Sequence, residues 1–183
     1  MAHISKPMAT IDMTKSKSMR SEEMLSEQFS AVSAVRRKVR GSDWNTWETA
    51  ELRGLFGVPD RFVVLWRQTP SGRRNIRTVA FEIKRDKWKR ALIQAYRYLA
   101  FADMSIVVLD AEFVHRALPH LNEFKKSNVG LISLTSEGAL CWHHVPRFQK
   151  PYLSSARLFL RNAISAHLFS TPKRLHGPSI KWK

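Results

Sequence analysis

The spacing of apolar residues predicts one helix and then three strands in the first half of the chain. Residues 21–41 place apolar side chains every three or four positions, as in an amphipathic helix, with Ser21 as its N-cap and Gly41 as its stop. Three strands are then predicted, at 46–54, 60–66 and 78–84. Pro70 and Gly72 stand between the last two strands, at the positions that a type I turn prefers.

The second half of the chain alternates helical and strand-like segments. Residues 86–102 predict an amphipathic helix with Trp88, Leu92, Ala95 and Leu99 on its buried side. The remaining predictions are a buried strand at 104–110, a helix at 111–127 interrupted at Pro119, a hairpin from 129–134 to 138–145, and a helix at 147–169. The order α-β-β-β-α-β, with further helices and strands after it, predicts an α/β sandwich with an additional C-terminal helix.

The composition indicates a folded and strongly basic protein. The chain has 183 residues, 44% of them hydrophobic, which is enough for one buried core. We expect a flexible arm over 1–20, a core over 21–145, and a basic helix and tail over 146–183 packed on that core. Its 31 Lys and Arg against 15 Asp and Glu give a net charge of +16, which indicates a polyanionic partner, nucleic acid before membrane.

Cysteine usage favours a reducing compartment. Cys141 is the only cysteine, so no intramolecular disulfide can form. No apolar run approaches the ~18 residues of a membrane span, and residues 1–20 lack the apolar centre of a signal peptide. We therefore expect a cytoplasmic protein with no membrane partner.

His143 and His144 do not make a zinc site with Cys141, because neighbouring strand residues point to opposite faces and no fourth ligand is evident.

Charged side chains interrupt two strands that otherwise have a buried pattern. Strand alternation places Glu82 and Lys84 on one face of the third strand, and Asp60 begins the strand before it. If these strands pair, two carboxylates and an ammonium meet at one end of the sheet. Carboxylates suit Mg²⁺, which acidifies a bound water, while a lysine can orient that water, assist its deprotonation or offset phosphorane charge. A metal ion and a phosphodiester would thus neutralise the charges, which are otherwise costly to bury.

The same residues form a short signature. PD at 59–60 followed by EIK at 82–84 resembles the signature of the PD-(D/E)XK nuclease superfamily, in which the lysine ends a strand just before a long helix. GVPD at 57–60 fits the G-x-x-D form, and QAYRY at 94–98 fits the Q-x-x-x-Y helix motif of the RecB and lambda-exonuclease branch. The resemblance spans about residues 20–110 and implies a restriction-endonuclease-like fold, in which helices flank a mixed sheet.

The resemblance also implies a role for each matching residue. It implies that Asp60 and Glu82 are carboxylate ligands of the metal ion and that the backbone carbonyl of Ile83 is a third ligand. It also implies that Lys84 is the catalytic lysine. It places Gln94 among the catalytic residues and Tyr98 among the nucleic-acid contacts. Either residue would support the site or touch the DNA backbone from the helix. The implied cofactor is Mg²⁺, for which Mn²⁺ can substitute.

Members of this family often carry one more acid on the first helix. At about 100° per residue, Glu22 falls about 60° from Leu25, on the edge of the buried face, whereas Glu23 and Glu27 point away. We therefore prefer Glu22 as a further metal ligand. Glu48 on the first predicted strand is a rival.

Basic residues cluster around the motif and are expected to contact phosphates without reading sequence. The expected nucleic-acid contacts, besides Tyr98, are Arg73, Arg74, Arg85, Lys87, Lys89, Arg90 and Arg97. The tryptophans considered for stacking on bases are Trp44, Trp47 and Trp182.

These features favour a magnesium-dependent DNA endonuclease or exonuclease, acting as a homodimer if it cuts both strands. The alternative is a non-catalytic DNA-binding protein built on a degenerate nuclease fold. A basic structural protein of a ribonucleoprotein would explain the charge, but not the charged strand ends.

Overall fold

The computed structural model describes residues 21–36, 43–50 and 57–169. Its strands are β1 (Asn45–Ala50), β2 (Arg61–Gln68), β3 (Arg74–Lys84), β4 (Met104–Asp110), β5 (Val129–Leu134) and β6 (Leu140–His144). Its helices are α1 (Glu22–Gln28), α2 (Ala31–Arg36), α3 (Trp88–Tyr98), α4 (Leu121–Ser127) and α5 (Ser154–Phe169). Expectations for 1–20 and 170–183, including Trp182 and the basic tail, lie outside the described residues.

The six strands form one mixed sheet in the order β1-β2-β3-β4-β5-β6. β1, β2 and β3 are antiparallel, β3, β4 and β5 are parallel, and β6 returns antiparallel to β5. Every residue of β4 and β5 is buried, as expected for central strands that are covered on both faces. The predicted α/β class, with a mixed sheet flanked by helices, is confirmed.

The alternation within β3 divides the core into two layers. Val79, Phe81 and Ile83 pack on one face with the side chains of α1 and α2. Helices α3, α4 and α5 cover the opposite face, where Ala80 packs with apolar residues of α5. Glu82 belongs to this second face and therefore meets α3 rather than α1.

The helix predicted over 21–41 is divided into α1 and α2, so this prediction was wrong as a single element. Phe29 adopts an extended backbone (φ −81°, ψ 119°), and its ring packs on Phe81 with 5.1 Å between the ring centroids. The break allows Ser30 to cap the second helix, since its Oγ accepts a hydrogen bond from the Ser33 amide at 3.3 Å. The predicted cap at Ser21 is confirmed by the bond from the Met24 amide to its Oγ, while Gly41 lies outside the described residues.

The hairpin between β2 and β3 is tighter than the sequence predicted. The amide of Gly72 donates to the carbonyl of Thr69 at 2.9 Å, which confirms the turn around Pro70. Gly72 has φ +76°, a conformation that favours glycine. The two strands pair as far as Gln68 and Arg74, so most of the connection assigned to 67–77 is strand.

Three predicted helices are shorter in the structure, and the one predicted at 147–169 begins only at Ser154, as α5. α3 ends at Tyr98, and a hydrogen-bonded turn then leads back to β4. The segment predicted as one helix at 111–127 consists of two 3₁₀ turns followed by α4, because Pro119 cannot donate to an α-helical bond. Asn128 ends α4 in a left-handed conformation, with φ +53°.

The C-terminal helix packs against the second face of the sheet. Ala156, Leu160 and Ile164 of α5 are buried against apolar residues of β2, β3 and the turn after α3. The segment before α5 is joined to the core by backbone hydrogen bonds, including one from the Gln149 amide to the Asp103 carbonyl at 2.9 Å. Among the helices in the described part of the chain, none is both long and apolar enough to cross a membrane.

Candidate active site

Lys84, the last residue of β3, lies at the centre of the candidate site. Its Nζ atom is 2.8 Å from Oε1 of Glu82 and 3.0 Å from the carbonyl oxygen of Ile83. It is also 3.5 Å from Oε2 of Glu22 and 3.7 Å from Oδ2 of Asp60. One ammonium therefore contacts the three carboxylates and the backbone carbonyl that were expected as metal ligands.

Asp60 is held in place by the backbone of β3. Its Oδ2 accepts a hydrogen bond from the Ile83 amide at 2.7 Å, and its own amide donates to the Phe81 carbonyl at 3.0 Å. The strand pairing of β2 with β3 thus brings together two motifs that are more than twenty residues apart.

The loop before Asp60 runs directly beside the ring of Tyr98. Gly57 has φ +130°, and a Cβ atom at that position would lie 3.0 Å from Cε1 of Tyr98. Only glycine combines this conformation with so close an approach. The G-x-x-D spacing therefore has a steric cause in this chain, because it lets the Asp60 loop pass over α3.

Glu82 is almost completely buried, with 1% of its surface exposed. Its Oε2 accepts a hydrogen bond from the Tyr98 hydroxyl at 2.5 Å, and its Oε1 accepts one from Lys84. Burial raises the pKa of the Glu82 carboxyl above its usual range, and the nearby charge of Asp60 acts in the same direction. The hydrogen bonds from Lys84 and Tyr98 act against this rise without cancelling it.

The same contacts stabilise the charged form of Lys84. Burial by itself would lower its pKa, but the hydrogen bond and charge of Glu82, with the charges of Asp60 and Glu22, outweigh burial and raise it. Lys84 therefore carries its proton at neutral pH when no metal is bound. It can donate hydrogen bonds and supply positive charge, and it is unsuited to accept a proton from water in that state.

Tyr98 supports the carboxylate from within the protein. It is 1% exposed, so it has no free surface for the nucleic-acid contact that the sequence suggested. Burial and the hydrogen bond to Glu82 raise the pKa of Tyr98 far above its usual value, which keeps the hydroxyl a donor. The hydroxyl also lies 3.1 Å from the carbonyl of Val58. Of the two roles suggested by the Q-x-x-x-Y motif, the geometry therefore favours support of the site.

Gln94 lies one helical turn before Tyr98 on α3. Its Oε1 is buried and has no hydrogen-bond partner among the described residues. No hydrogen bond joins Gln94 to Glu82 or Lys84 in this part of the chain. An unpartnered buried acceptor on the helix that supports Glu82 fits a bound water or another donor that the protein itself does not supply.

The two rival acids occupy different places. Glu22 lies in the first turn of α1, half exposed, and reaches Lys84. Glu48 instead accepts a hydrogen bond from the Val32 amide at 3.2 Å and lies 3.6 Å from Nε of Arg61, so it joins α2 to the sheet. Arg61 also donates to the Ser26 carbonyl at 2.8 Å, which ties α1 to β2.

Within residues 21–36, 43–50 and 57–169, no group of three or more His, Cys, Asp and Glu side chains is arranged to hold a metal ion. The carboxylates of the candidate site instead surround the Lys84 ammonium. Their chemistry nevertheless fits a hard divalent ion, since Mg²⁺ and Mn²⁺ prefer carboxylate and carbonyl oxygens and the acids already converge on one cation.

The expected phosphate contacts differ in their exposure and in their distance from the site. Four of them are exposed at the start of α3 or along it: Lys87, Lys89, Arg90 and Arg97. Arg85 is half-buried, 3.7 Å from Asp86 and stacked over the Phe113 ring. Arg73 and Arg74 lie at the far end of β3, about 30 Å along the strand from Lys84, so the structure does not gather them at the site.

One basic residue near the site was missed in the sequence. Arg116 lies 3.6 Å from Asp86 and stacks over Phe113, beside Arg85. It belongs to a 3₁₀ turn after β4, inside a segment where the spacing predicted a continuous helix. No pattern in the sequence indicated that this turn would reach the end of β3.

Two of the tryptophans considered for base stacking, and one of the two histidines near Cys141, contact other side chains of the protein. Trp44 is covered by Arg67 and Arg77, and the Trp47 ring centroid lies 5.2 Å from that of His167. His143 hydrogen-bonds Ser133 at 2.8 Å, and Cys141 is an exposed free thiol.

Comparisons of this chain with protein-family models, with curated proteins and with solved structures found no match. The function is therefore inferred from the geometry of the described residues and from the sequence signature that they carry.

Proposed function

We propose that this chain is a metal-dependent deoxyribonuclease with a restriction-endonuclease-like core of the PD-(D/E)XK kind. The observation that supports this best is the convergence of Glu22, Asp60, Glu82 and the Ile83 carbonyl on the ammonium of Lys84. The element order around them, with β3 ending in the lysine and followed by α3, is the order that the resemblance implies.

In this proposal, Asp60, Glu82 and the Ile83 carbonyl hold a Mg²⁺ or Mn²⁺ ion, with Glu22 as a further ligand. When bound, such an ion polarises a phosphoryl oxygen and lowers the pKa of a water. The protein prepares two of these ligands through its own hydrogen bonds: the Ile83 amide fixes Asp60, and Tyr98 fixes Glu82. Hydrogen-bonded ligands of this kind bind metal more tightly, because their orientation is set before the ion arrives.

Lys84 has an electrostatic role in the proposed reaction. Hydrolysis adds water to phosphorus and expels the 3′ oxygen, with negative charge growing on the phosphoryl oxygens. A protonated lysine beside that phosphorus neutralises this charge and donates a hydrogen bond. The raised pKa of Lys84 favours this role over that of a general base.

The remaining parts of the proposal concern the surroundings of the site. Exposed basic residues of α3 would contact the DNA backbone near the scissile phosphate. A homodimer would supply two such sites for cutting both strands. The single cysteine fits a reducing compartment, and we place the enzyme in the cytoplasm on this ground.

The experiment is a cleavage assay on supercoiled plasmid with Mg²⁺, Mn²⁺ or EDTA. We expect nicking with either metal, none with EDTA, and none above background for Asp60→Asn or Glu82→Gln. Glu23→Gln is the matched control, because Glu23 is exposed on the same helix as Glu22 and does not contact Lys84. Linear, nicked and branched substrates would then separate endonuclease from exonuclease activity.

The opposite result has a definite meaning. EDTA-resistant cleavage that persists in Asp60→Asn would identify a contaminant or another site. DNA binding without cleavage of any substrate would favour the non-catalytic alternative, in which Lys84 permanently replaces the metal ion as the cation among the carboxylates.

A further inference from the structure

A small polar cavity lies far from the candidate active site, near the start of β3, where the segment before α5 is hydrogen-bonded to Asp103. Its volume is about 210 Å³, and its lining includes Arg77, Asp103, Gln149, Lys150 and Arg157. Thr78, which hydrogen-bonds Asp103, precedes Lys84 by six residues on β3, or about 20 Å along the strand. The cavity and the active site are therefore separate places on one strand.

The lining is strongly cationic. Arg77, Lys150 and Arg157 face one carboxylate, that of Asp103. Oδ2 of Asp103 accepts hydrogen bonds from the amide and the hydroxyl of Thr78 at 2.9 and 3.0 Å, and its Oδ1 lies 3.4 Å from Arg157. The Asp103 carboxylate is thus hydrogen-bonded to β3, and its single negative charge neutralises only part of the charge of the three basic side chains.

Two hydrogen-bond donors of the lining residues lack partners. Nε of Arg157 and Nε2 of Gln149 are buried and have no acceptor among the described residues. The other atom of the Gln149 amide, Oε1, already accepts a bond from Asn128 at 2.7 Å. Buried donors without acceptors are rare and destabilising, so their occurrence together beside three cations indicates an acceptor that is not part of the protein.

Arg77 is held in a fixed orientation at this cavity. Its guanidinium lies 4.5 Å from the ring centroid of Phe148 and 5.3 Å from that of Trp44. An arginine that stacks on rings keeps its N–H groups free at the edge and loses little entropy when it binds an anion.

We propose that this cavity binds a phosphate group. A phosphate offers several acceptor oxygens and negative charge, which match two arginines, a lysine and an unpartnered amide donor. The volume is below the ~300–1,000 Å³ of pockets that enclose drug-sized ligands, so it suits the phosphate itself rather than a whole cofactor. The site does not depend on the proposed nuclease activity.

The test measures binding of inorganic phosphate to the full-length protein by titration calorimetry, in phosphate-free buffer with EDTA. EDTA removes any contribution from metal at the other site and prevents metal-dependent cleavage, so failure of one proposal leaves the other standing. We expect saturable binding that is about tenfold weaker in Lys150→Gln and in Arg157→Gln. Lys126→Gln is the matched control, since it removes the same charge from an exposed position on α4 outside the cavity.

Lys150 is exposed, so its substitution leaves the fold intact and keeps the test valid if Arg157→Gln is unstable. Two further titrations identify the source of the phosphate, one with a deoxynucleoside monophosphate and one with a short oligonucleotide lacking terminal phosphates. Tighter binding of the monophosphate that Lys150→Gln weakens indicates a free nucleotide. Tighter binding of the oligonucleotide indicates the nucleic-acid backbone only where Lys150→Gln weakens it, since the basic residues of α3 also offer a surface to DNA. Absence of saturable phosphate binding, or equal affinity in Lys150→Gln and Lys126→Gln, would overturn the proposal.

Discussion

The hydroxyl of Tyr98 lies 2.5 Å from Oε2 of Glu82, inside the protein, where neither side chain exposes more than 1% of its surface. This bond joins the helix α3 to the charged face of β3. It fixes the orientation of the carboxylate whose other oxygen contacts Lys84.

Tyr98→Phe keeps the ring and removes only the hydroxyl that orients Glu82. We expect metal affinity and cleavage to fall about 10–100-fold, as for other residues that hold a metal ligand. The loss of stability should be about 1 kcal/mol. Metal titration measures the affinity, plasmid nicking measures the cleavage, and urea unfolding measures the stability. Tyr96→Phe is the control, because Tyr96 is exposed and contacts Tyr152 instead; equal losses in both variants would contradict this role for Tyr98.

Replacing Lys84 should separate metal binding from cleavage. In Lys84→Gln the ammonium no longer competes for the oxygens of Glu22, Asp60 and Glu82, so we expect Mn²⁺ to bind at least as tightly as in the wild type. Cleavage should fall below detection, because the charge beside the phosphorus is gone. Glu82→Gln should lose both properties.

The measurement is the rise in melting temperature on adding Mn²⁺, which reports binding to the folded state, together with plasmid nicking. We expect a larger rise for Lys84→Gln than for the wild type. Lys126→Gln, a change of the same charge at an exposed position on α4, serves as the control. A smaller rise in Lys84→Gln than in the control would show that the ammonium does not share the metal's ligands.

The raised pKa of Glu82 predicts how stability depends on pH without metal. Between the ordinary value of 4.5 and the raised value, the folded state keeps the proton and the unfolded state loses it. The free energy of unfolding should therefore fall as pH rises through this window. Lys84 does not contribute there, because its pKa is raised from 10.5 and its stabilisation is lost only at more alkaline pH.

Urea unfolding in EDTA, at a series of pH values, measures this dependence. The difference in unfolding free energy between the wild type and Glu82→Gln isolates Glu82 from Asp103, whose pKa is also raised by burial. We expect the unfolding free energy of the wild type to fall relative to that of Glu82→Gln as pH rises above 4.5. A difference that does not change with pH would contradict the burial of an ionisable Glu82.

Gly57→Ala should damage the site through its loop. A Cβ there would lie 3.0 Å from the Tyr98 ring at φ +130°, so we expect a loss of about 1–3 kcal/mol and displacement of Asp60. Gly72→Ala is the control, since its φ is +76° but nothing lies within 4 Å of the added atom. Urea unfolding and nicking together measure both effects. Loss of cleavage is expected for Gly57→Ala alone.

Glu22 and Glu48 should differ in what their removal changes. We expect Glu22→Gln to weaken metal binding and cleavage about tenfold with little effect on stability, since Glu22 is half exposed. Glu48→Gln should lower stability by about 1 kcal/mol, because it loses its charge beside the Val32 amide and Arg61, and should leave the metal affinity unchanged. The opposite pattern would make Glu48 the ligand.

Periodicity in the sequence was enough to predict the candidate site's main geometry. The two-residue repeat of β3 places Glu82 and Lys84 on one face, and the helical repeat distinguishes Glu22 from its neighbours. Both inferences depend on short-range geometry that every strand or helix obeys. The turn at Pro70 and Gly72 was predicted from the residues that a type I turn prefers, which is also a local property, and the mixed sheet from the family resemblance.

The remaining features depend on contacts between distant segments. The break at Ser30 comes from the packing of Phe29 on Phe81, and the inward position of Tyr98 follows from its bond to Glu82. The distance of Arg73 and Arg74 from the site follows from how far β2 and β3 pair. None of these can be derived from the spacing of residues within one element.

The position of Lys84 among the acids bears on how a newly made chain matures. Because a built-in cation already balances part of the negative charge at the end of β3, the domain can reach its folded form before it encounters any ion. For the proposed nuclease, metal supply would then act after folding is complete, and a cell depleted of magnesium or manganese would store intact, inactive protein ready for loading.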